Sequence, residues 1–381
     1  MKLPVSILAA ILSVSLVGCQ TSENTAKEES IEMATPSKAE SIVNQKAVSD
    51  LFIDHKPVWL NGMNMAWVDF GKDFGYHKDS QERFNSIFKD MHEHGVNSVR
   101  FWIHCDGRAN PLFDETGMVT GLPDGFMKDF LGMLDLAEKY DILVMPALWS
   151  FDMVKDNTAK EGPHAGTQQK LILDDDYLTS YIDNALIPMV KAADSHPALF
   201  AWEICNEPEW MQENLGMPKN RVQRFHARIA AAIHKNGKKP VTTGSACLKF
   251  NSTTLPKTTG NWWSDEALQA TYNDPDAHLD FYQVHVYGWM LHQLFDPYLY
   301  TPEQLGLDKP VMIGETRGMT MSSHVDPSIS YTTKEMLNKA LEKGYFGSYF
   351  WSWTSHDGNG DWKDMREVTK EFAEQNLQHN K

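Results

Sequence analysis

The sequence predicts an α/β fold with a single (β/α)8 TIM barrel, and three observations support this prediction. Eight short apolar segments recur along the chain, and most are continuous runs, as expected of parallel strands buried on both faces. Stretches with apolar residues at helical spacing separate these segments. The two kinds of segment alternate from Phe52 to near Phe372, without an internal repeat or a second domain boundary. In such a barrel, functional residues are expected at the carboxyl ends of the strands.

Each strand candidate is an apolar run, and the fifth is short. The candidates are Val58–Met63, Val96–Trp102, Ile142–Trp149, Leu199–Cys205, Pro240–Thr243, Phe281–Tyr287, Pro310–Glu315 and Gly347–Trp353. Five apolar stripes predict helices. They are Phe84, Ile87, Phe88 and Met91; Phe126, Phe130, Leu134 and Ala137; Ile182, Ala185, Met189 and Ala193; Phe225, Ile229 and Ile233; and Met336, Leu337 and Ala340. Asp124 is the expected N-cap of the second helix, and the stretches 214–221 and 251–275 are expected loops.

The first 18 residues resemble a bacterial lipoprotein signal peptide and are not expected to belong to the fold. Lys2 supplies a positive charge, an apolar run from Val5 to Val17 follows, and small residues precede Cys19. This run is too short for a comfortable membrane span. Cleavage would leave Cys19 as a lipid-modified N-terminus, and Gln20 in the next position favours the outer membrane. The alternative is an ordinary secretory signal with an incidental cysteine, which predicts a secreted protein.

The rest of the chain divides into a tether and one domain. Residues 19–45 are rich in Ser, Thr, Glu, Lys and Ala, so we expect a flexible tether, followed by the (β/α)8 domain over residues 46–381. The formal net charge of −16 argues against nucleic acid and other polyanionic partners. Three cysteines follow Cys19, namely Cys105, Cys205 and Cys247, and this odd number predicts buried thiols without a disulfide framework. We expect a monomer.

Two glutamates at the ends of predicted strands are the main candidates for catalysis. Glu207 follows the apolar run of strand four within Asn206-Glu207-Pro208, and Glu315 ends strand seven. Strands four and seven face each other across the mouth of a barrel, so their tips can bring two carboxyl groups together. Hydrolysis of a glycosidic bond with retention of configuration needs such a pair, about 5–5.5 Å apart. We therefore expect Glu207 to be the acid/base and Glu315 the nucleophile, with Asn206 facing the sugar 2-hydroxyl.

The nucleophile must stay ionised and therefore needs a cationic partner. Arg100, inside strand two, is the expected partner of Glu315, because a buried arginine is costly without a carboxylate. The alternative is that Arg100 forms a structural ion pair elsewhere. Arg317 is a weaker candidate for the same role. Glu203, inside the run of strand four, is expected to be paired within the barrel and to carry no chemistry.

Histidine and tyrosine side chains complete the predicted polar site. His285 and Tyr287 alternate on strand six and therefore point the same way, His285 toward Glu207 and Tyr287 toward Glu315. The alternative for His285 is a hydrogen-bonded core histidine. His104, just past strand two, is a second-rank candidate for substrate binding.

Tryptophans are concentrated near the same strand ends. They are Trp67, Trp102, Trp149, Trp210, Trp262, Trp263, Trp289, Trp351 and Trp353. Aromatic faces stack on the apolar faces of sugar rings, and a core does not need so many near loops. We expect about half of them to contact carbohydrate, with Trp149 near the substrate and Trp351 forming the floor of the cleavage subsite.

Other chemical motifs fail on inspection. Residues 357–361 (DGNGD) begin like a calcium loop, but Trp362 occupies the sixth position and Val368 the twelfth, which excludes an EF-hand. No pair of histidines has convincing metal spacing, and no phosphate-binding glycine loop is present. The sequence therefore predicts neither a metal nor a cofactor.

These residues resemble those of family 5, clan A, of the glycoside hydrolases. The family's order and strand positions are matched by Arg100, Asn206-Glu207-Pro208, His285, Tyr287, Glu315 and Trp351. Four further stretches resemble the β-mannanases of a subgroup found in marine invertebrates and bacteria. They are residues 61–75 (NGMNMAWVDFGKDFG), 100–107 (RFWIHCDG), 146–149 (PALW) and 196–209 (HPALFAWEICNEPE).

The resemblance implies a cofactor-free enzyme that hydrolyses β-1,4-mannosidic bonds within mannan, glucomannan or galactomannan. Trp149 stands where cellulases of the family commonly have a histidine, which counts against a cellulase. An endo-β-1,4-glucanase of the same family is the enzymatic alternative. A non-catalytic glycan-binding surface lipoprotein is the alternative from another class, and it predicts the loss of at least one of the two carboxylates.

Overall fold

A closed parallel barrel forms the centre of the molecule. The computed structural model describes residues 59–77, 80–291, 295–354 and 357–377, so the predicted signal peptide and tether lie outside the described residues. Within these ranges, eight parallel strands form one ring, in which sequence neighbours pair and the first strand pairs with the last. Named β1 to β8 in chain order, they are Leu60–Asn64, Ser98–Trp102, Leu143–Ser150, Trp202–Asn206, Val241–Ser245, Tyr282–Val286, Val311–Arg317 and Gly347–Trp351. The predicted (β/α)8 barrel is confirmed.

The strand boundaries differ from the prediction by a few residues. β6 ends at Val286, so Tyr287 lies just beyond the strand. β4 begins at Trp202, whereas Leu199 makes only an isolated parallel bridge to Val144. Apolar side chains are buried before and after the paired segment, so hydropathy alone does not mark where the strand hydrogen bonds begin and end.

Helices surround the ring. The helices of seven or more residues are Ser80–Glu93, Phe126–Lys139, Asp175–Tyr181, Ile187–Ala193, Lys219–Asn236, Thr333–Glu342 and Trp362–Asn376, and the π-helical segment Ile182–Leu186 joins the third to the fourth. The shorter helical segments are Phe151–Val154, Thr158–Glu161, Gln169–Leu173, Glu209–Glu213, Asp265–Gln269, Gly288–Leu291 and Pro297–Leu299. Two small antiparallel ribbons pair Leu112–Phe113 with Val119–Gly121 and Met321–Ser322 with Ser330–Tyr331. All five predicted apolar stripes lie on helical segments and are buried.

Three local predictions about helices were wrong in whole or in part. The predicted loop 214–221 includes the first residues of the helix Lys219–Asn236. The helix Phe126–Lys139 has Gly125 as its N-cap residue, not Asp124, because the chain enters the helix with a φ of 81°, which glycine adopts freely. The predicted loop 251–275 contains the helical turn Asp265–Gln269. The side chain of Ser264 accepts a hydrogen bond from the Ala267 N–H and caps this turn.

Apolar residues fill the barrel from the bottom and pack the helices onto its outside. The interior is plugged by Leu60, Met145, Phe200, Ala201, Phe281, Met312, Phe346 and Tyr349. The last helix closes the fold against the first strand: the Phe372 ring lies 5.6 Å from that of Trp59, and the Asn61 side chain donates to the Thr369 carbonyl. Above the plug, the interior becomes polar, and this layer carries the candidate site.

Two further predictions concern thiols and membranes. Cys105, Cys205 and Cys247 are buried and free, as predicted. None of the helices in the described ranges is long and apolar enough to cross a membrane.

Candidate active site

The two predicted catalytic glutamates meet at the carboxyl end of the barrel. Glu207 follows β4 directly, and Glu315 lies in β7. One carboxylate oxygen of Glu207 lies within 4.8 Å of one oxygen of Glu315. The pair therefore has close to the short separation used when one carboxylate acts as nucleophile, and not the 6.5–9.5 Å that leaves room for a water molecule.

Arg100 occupies the centre of the polar layer, and its five N–H groups all have acceptors. Its Nε and Nη2 donate to the two oxygens of Glu203, each at 2.6 Å. Nη1 donates to Glu315 at 2.6 Å and to Asn64 at 2.9 Å, and Nη2 also donates to Asn206 at 2.8 Å. Arg100 thus forms both the predicted pair with Glu315 and a structural pair with Glu203, so the two alternatives hold together. Lysine cannot replace this planar fork.

Glu315 is held in place by donors on both oxygens. Oε1 accepts from Arg100, and Oε2 accepts from the Tyr287 hydroxyl at 2.8 Å, while His285 Nδ1 lies 3.6 Å from Oε2. Burial raises the pKa of Glu315, and the charge of Arg100 together with the Tyr287 hydrogen bond acts against that rise. These contacts favour the ionised form, which a nucleophile requires.

Glu207 has an environment that favours its protonated form. Burial raises the pKa of Glu207 to about 7, although its Oε2 accepts from Trp210 Nε1 at 2.9 Å. His285 Nδ1 lies 3.0 Å from Oε1, and burial lowers the pKa of His285 to about 4, so this histidine is neutral and adds no positive charge. Two neighbouring carboxyl groups with different charge partners are the usual basis for dividing the roles of acid and nucleophile.

A buried carboxylate supports the strained backbone of Glu207. Glu207 has a φ of +46°, which is uncommon for a residue other than glycine and persists only where surrounding contacts impose it. Two residues later, Glu209 is fully buried and accepts from the Ser245 hydroxyl, the Ala246 N–H and Trp263 Nε1 at 2.5, 3.0 and 2.6 Å. These bonds tie the turn after β4 to the end of β5. The position of Glu207 therefore depends on Glu209.

Replacing Glu209 with Gln is expected to lower the free energy of unfolding by about 1–3 kcal/mol. Oε1 accepts from the Trp263 N–H and Oε2 accepts from the Ala246 N–H. In either orientation of the new amide, its NH2 group would therefore face one of these two N–H donors. We also expect kcat to fall about tenfold, because the Glu207 carboxyl loses its fixed position. Urea unfolding and steady-state kinetics measure the two effects.

The matched control is Glu213→Gln on the same helical turn. Glu213 is exposed and pairs with Lys249 at the surface, so this change should leave both stability and kcat nearly unaltered. Equal effects of the two substitutions would contradict the supporting role of Glu209.

The cleft above the carboxylates has a volume of about 560 Å³ and aromatic walls. Its lining includes Trp102, Trp210, Tyr287, Trp289 and Trp351, and also Phe151, Asn206, Met290, Arg317 and His324. The Trp67 ring lies beside this wall, with its centroid 6.0 Å from that of Trp351. Of the nine tryptophans singled out in the sequence, four line this cleft among the described residues. Trp262 and Trp263 are core residues, and Trp353 lines a different depression.

Two predicted substrate-binding residues lie behind the wall of the cleft. His104 and Trp149 are completely buried, with ring centroids 4.8 Å apart, and neither lines the cleft. His104 bonds to Asn110 through Nδ1 and to the Tyr181 hydroxyl through Nε2 at 3.1 Å, and burial lowers its pKa to about 3. Both rings pack against Tyr181, so the structure places these two predicted substrate-binding or supporting residues behind the wall of the cleft and not on its surface.

The sequence analysis missed several polar residues of the site. Asn64 accepts from Arg100, and Gln283 donates at 3.0 Å to Glu203, which was expected to be paired within the barrel. Asp357 lines the cleft and accepts from Trp351 Nε1 at 2.8 Å, which fixes the plane of the indole. The signal for Asp357 was present, since it begins the DGNGD segment that was considered only as a calcium loop.

The structure is a closed parallel barrel with this carboxylate pair below a cleft lined by tryptophans. These features are those of a retaining glycoside hydrolase. Comparisons with known proteins agree with that class. The family model described as Cellulase (glycosyl hydrolase family 5) matches residues 53–357, and the chain belongs to this family. The family resemblance inferred from the sequence motifs is confirmed.

Relatives within the family carry a narrower description. A mannan endo-1,4-beta-mannosidase of Mytilus edulis is 31% identical over 341 residues, which cover 82% of this chain and 88% of the relative. The crystal structure of an endo-1,4-beta-mannanase from Eisenia fetida superposes with a TM-score of 0.72 at 28% identity, covering 83% of this chain and 91% of the other. A beta-1,4-D-mannanase from Cryptopygus antarcticus gives a TM-score of 0.73 at 25% identity, covering 85% and 93%.

Proposed function

We propose that this chain is an endo-β-1,4-mannanase that cleaves mannan, glucomannan and galactomannan with retention of configuration. The observation that carries this proposal is the approach of the Glu207 and Glu315 carboxylates to within 4.8 Å, with Arg100 and Tyr287 on the latter. The names of the relatives from Mytilus edulis, Eisenia fetida and Cryptopygus antarcticus support mannan as the substrate. The presence of both carboxylates argues against a non-catalytic binding protein.

In the first step, the ionised Glu315 attacks the anomeric carbon of the sugar in the cleft. The glycosidic C–O bond breaks as Glu207 gives its proton to the leaving oxygen, and a covalent glycosyl ester of Glu315 forms. In the second step, Glu207 takes a proton from water, whose oxygen attacks the same carbon and releases the carboxylate of Glu315. Two inversions leave the configuration unchanged.

Asn206 is positioned to bind the sugar during both steps. Its side-chain oxygen accepts from Arg100, so the amide nitrogen is left to donate into the cleft that Asn206 lines. A hydrogen bond to the 2-hydroxyl strengthens as the transition state develops positive charge at the anomeric centre. Trp351, fixed by Asp357, offers its indole to the apolar face of the same sugar ring.

Substrate class is tested by reducing-sugar release from mannan, galactomannan and soluble cellulose at equal mass. We expect turnover on the mannans to exceed that on cellulose by at least about a hundredfold, a difference set by one stereocentre held in a polar site. Higher activity on cellulose would replace the proposal with the endo-β-1,4-glucanase alternative. Binding of mannan without any turnover would support the non-catalytic alternative.

Mode of cleavage is read from the products of mannohexaose. An endo-acting enzyme yields a mixture of mannobiose, mannotriose and mannotetraose from the start, and proton NMR should show the β-anomer first. Release of mannose alone from one end would contradict endo cleavage, and an initial α-anomer would contradict retention.

The dependence of kcat/KM on pH is expected to be bell-shaped. Glu207 must be protonated to act as acid, so activity should fall as pH rises through its pKa of about 7. Glu315 must be ionised, so activity should also fall at low pH, through a pKa that burial raises above the usual carboxyl value. The two limbs belong to the coupled pair. Initial rates on mannohexaose between pH 3 and 9 (roughly the range in which both limbs appear) measure the two limbs. An alkaline limb that survives in Glu207→Gln would contradict the assignment of Glu207 as the acid.

We propose further that the protein is a lipoprotein of the outer membrane. The supporting features are sequence features: the signal-like residues 1–18, Cys19 as the lipidated residue, and the polar segment 19–45 as a tether. This arrangement would hold the barrel near the membrane surface. A secreted protein is the alternative, and a monomer is proposed in either case.

Localisation is tested by expressing the full chain in a Gram-negative host fed an alkyne-bearing palmitate analogue. Wild type should be labelled and should sediment with outer membranes, while Cys19→Ala should be unlabelled and Gln20→Asp should move to the inner membrane. Labelling that persists in Cys19→Ala would overturn the assignment, and an unlabelled, released wild type would favour secretion. Light scattering of the soluble domain reports whether it is monomeric.

A further inference from the structure

Three clusters of histidine and acidic residues bring possible metal-ligating atoms within 4.8 Å of one another in the described residues. They are Glu207, His285 and Glu315; Asp135, Glu138 and His196; and His234, His278 and Asp280. The first is the catalytic site. The other two lie outside it, and the hydrogen bonds of their histidines separate them.

A histidine can bind a metal only through a ring nitrogen that carries no proton. His196 Nδ1 accepts a hydrogen bond from the Ala198 backbone N–H, so its neutral form carries the proton on Nε2. That nitrogen is the one facing Asp135 at 3.2 Å and Glu138 at 3.9 Å. The Asp135 cluster is therefore arranged as a hydrogen-bonded ion pair, with no nitrogen lone pair directed at the carboxylates.

The third cluster has the opposite arrangement. Nδ1 of His234 lies 2.8 Å from the Asp276 carbonyl, and Nδ1 of His278 lies 3.0 Å from the Pro275 carbonyl. A carbonyl only accepts, so both Nδ1 atoms carry protons, and in the neutral rings both Nε2 atoms present lone pairs. Backbone carbonyls that hold the outer nitrogen of a histidine are the usual support of metal-ligating imidazoles.

Both Nε2 atoms face the same carboxylate. Asp280 lies 3.0 Å from His234 Nε2 through Oδ2 and 3.8 Å from His278 Nε2 through Oδ1. We propose that His234, His278 and Asp280 form a binding site for a divalent transition metal such as Zn²⁺, with water completing the coordination. Two imidazoles and one carboxylate are a ligand set that suits this class of ion.

The site requires only a local adjustment to accept the ion. The two rings stack with centroids 4.2 Å apart and an interplanar angle of 16°, whereas tetrahedral Zn²⁺ with bonds near 2.0 Å needs ligand atoms about 3.3 Å apart on converging axes. His278 must therefore rotate its ring toward Asp280. Its side chain is 31% exposed and lies in the segment that precedes β6, and the rotation must keep the hydrogen bond from Nδ1 to the Pro275 carbonyl.

The charges around the cluster favour a cation. Asp276 and Asp280 both act on His234 through their negative charges. The nearby ammonium of Lys235 is paired with Asp274 and so is largely neutralised. The ion would gain two nitrogen ligands and one anionic oxygen, and its binding would release the proton that His234 Nε2 shares with Asp280.

The position of the cluster predicts its effect. His234 lies near the end of the helix Lys219–Asn236, His278 and Asp280 precede β6, and Asp280 also accepts from the Val241 N–H at the start of β5. These are the amino ends of the strands, opposite the catalytic glutamates. The ion should stabilise the folded state by binding it selectively and should leave the catalytic cycle unchanged.

The test uses the folded enzyme after EDTA treatment and gel filtration, with Zn²⁺ as the only added ligand. Calorimetry should show one Zn²⁺ site per chain in wild type. In His278→Ala and in His234→Gln, the affinity of this site for Zn²⁺ should be at least about tenfold weaker. Free Zn²⁺ at about 100 times its Kd should raise Tm by about 4 °C in wild type but not in the two variants. Because the readout is the increment caused by Zn²⁺, a change in basal stability does not obscure it.

His196→Ala is the matched control, since it removes a histidine from the cluster whose hydrogen bonds argue against metal binding. It should keep the full Zn²⁺ response. The absence of any Zn²⁺ site in wild type would overturn the proposal, as would a response retained in both variants or lost equally in His196→Ala. Co²⁺ substitution provides a second readout, because a nitrogen and oxygen ligand set gives visible absorption that should vanish in His278→Ala. None of these measurements depends on mannan hydrolysis.

Discussion

Glu315→Gln is expected to lower kcat on mannan by about 10⁴-fold or more, because the amide cannot attack the anomeric carbon. The substitution keeps the shape of the side chain, and its remaining oxygen can accept from either Arg100 or Tyr287. Affinity for mannohexaose should therefore stay within a few-fold of wild type. Steady-state kinetics and calorimetry on the same preparation separate the two effects.

The control for this experiment is Glu303→Gln, which removes an exposed carboxylate that does not line the cleft. It should retain full activity. Residual activity of more than a few per cent in Glu315→Gln, on a preparation free of wild-type enzyme, would falsify the assignment of the nucleophile. A large loss of mannohexaose binding would instead show that Glu315 mainly organises the site.

Glu207→Ala should produce the second largest loss, of about 10²–10⁴-fold on mannan, because general acid catalysis contributes roughly that factor. The loss should depend on the leaving group. A dinitrophenyl β-mannobioside needs no proton to depart, so the first step should proceed and the glycosyl ester on Glu315 should accumulate as a burst. The second step then stalls, because no group activates water.

Azide distinguishes a missing base from a damaged site. The azide ion needs no deprotonation, so it should attack the anomeric carbon, break the ester bond to Glu315 and restore turnover of Glu207→Ala. The product should be the β-mannobiosyl azide. Azide should not rescue Glu315→Gln, which forms no ester. Failure of azide to accelerate Glu207→Ala after a visible burst would exclude Glu207 as the acid/base.

The fold and the catalytic pair could be predicted because both leave local marks in the sequence. A buried parallel strand is a short apolar run, and Glu207 and Glu315 each interrupt or end such a run where a barrel exposes its strand ends. Arg100 was predictable for the same reason, since a charge inside an apolar strand requires a partner. The position of β4 opposite β7 in the ring then followed from strand order alone.

What could not be predicted depends on contacts between distant segments. The sequence does not reveal that Trp149 and His104 pack against Tyr181 behind the cleft, because helix packing decides that contact. Nor does it reveal that Glu203 shares Arg100 with Glu315, since a partner's identity depends on register between strands. Gly125 displaced Asp124 as the N-cap because the backbone conformation at the helix start is set by the approaching loop.

The pairing of β1 with β8 has a consequence for how the protein is made. These strands are separated by most of the described chain, and the Asn61 side chain bonds to Thr369, a sequence separation of 308 residues. Contacts of such long range form slowly and late, since the entropy of joining the ends must be overcome first. A chain still emerging from the ribosome can hold Glu207 and Glu315 without holding a working enzyme. We therefore expect the chain to become active only late in folding, after β1 has paired with β8 and the last helix has packed against β1.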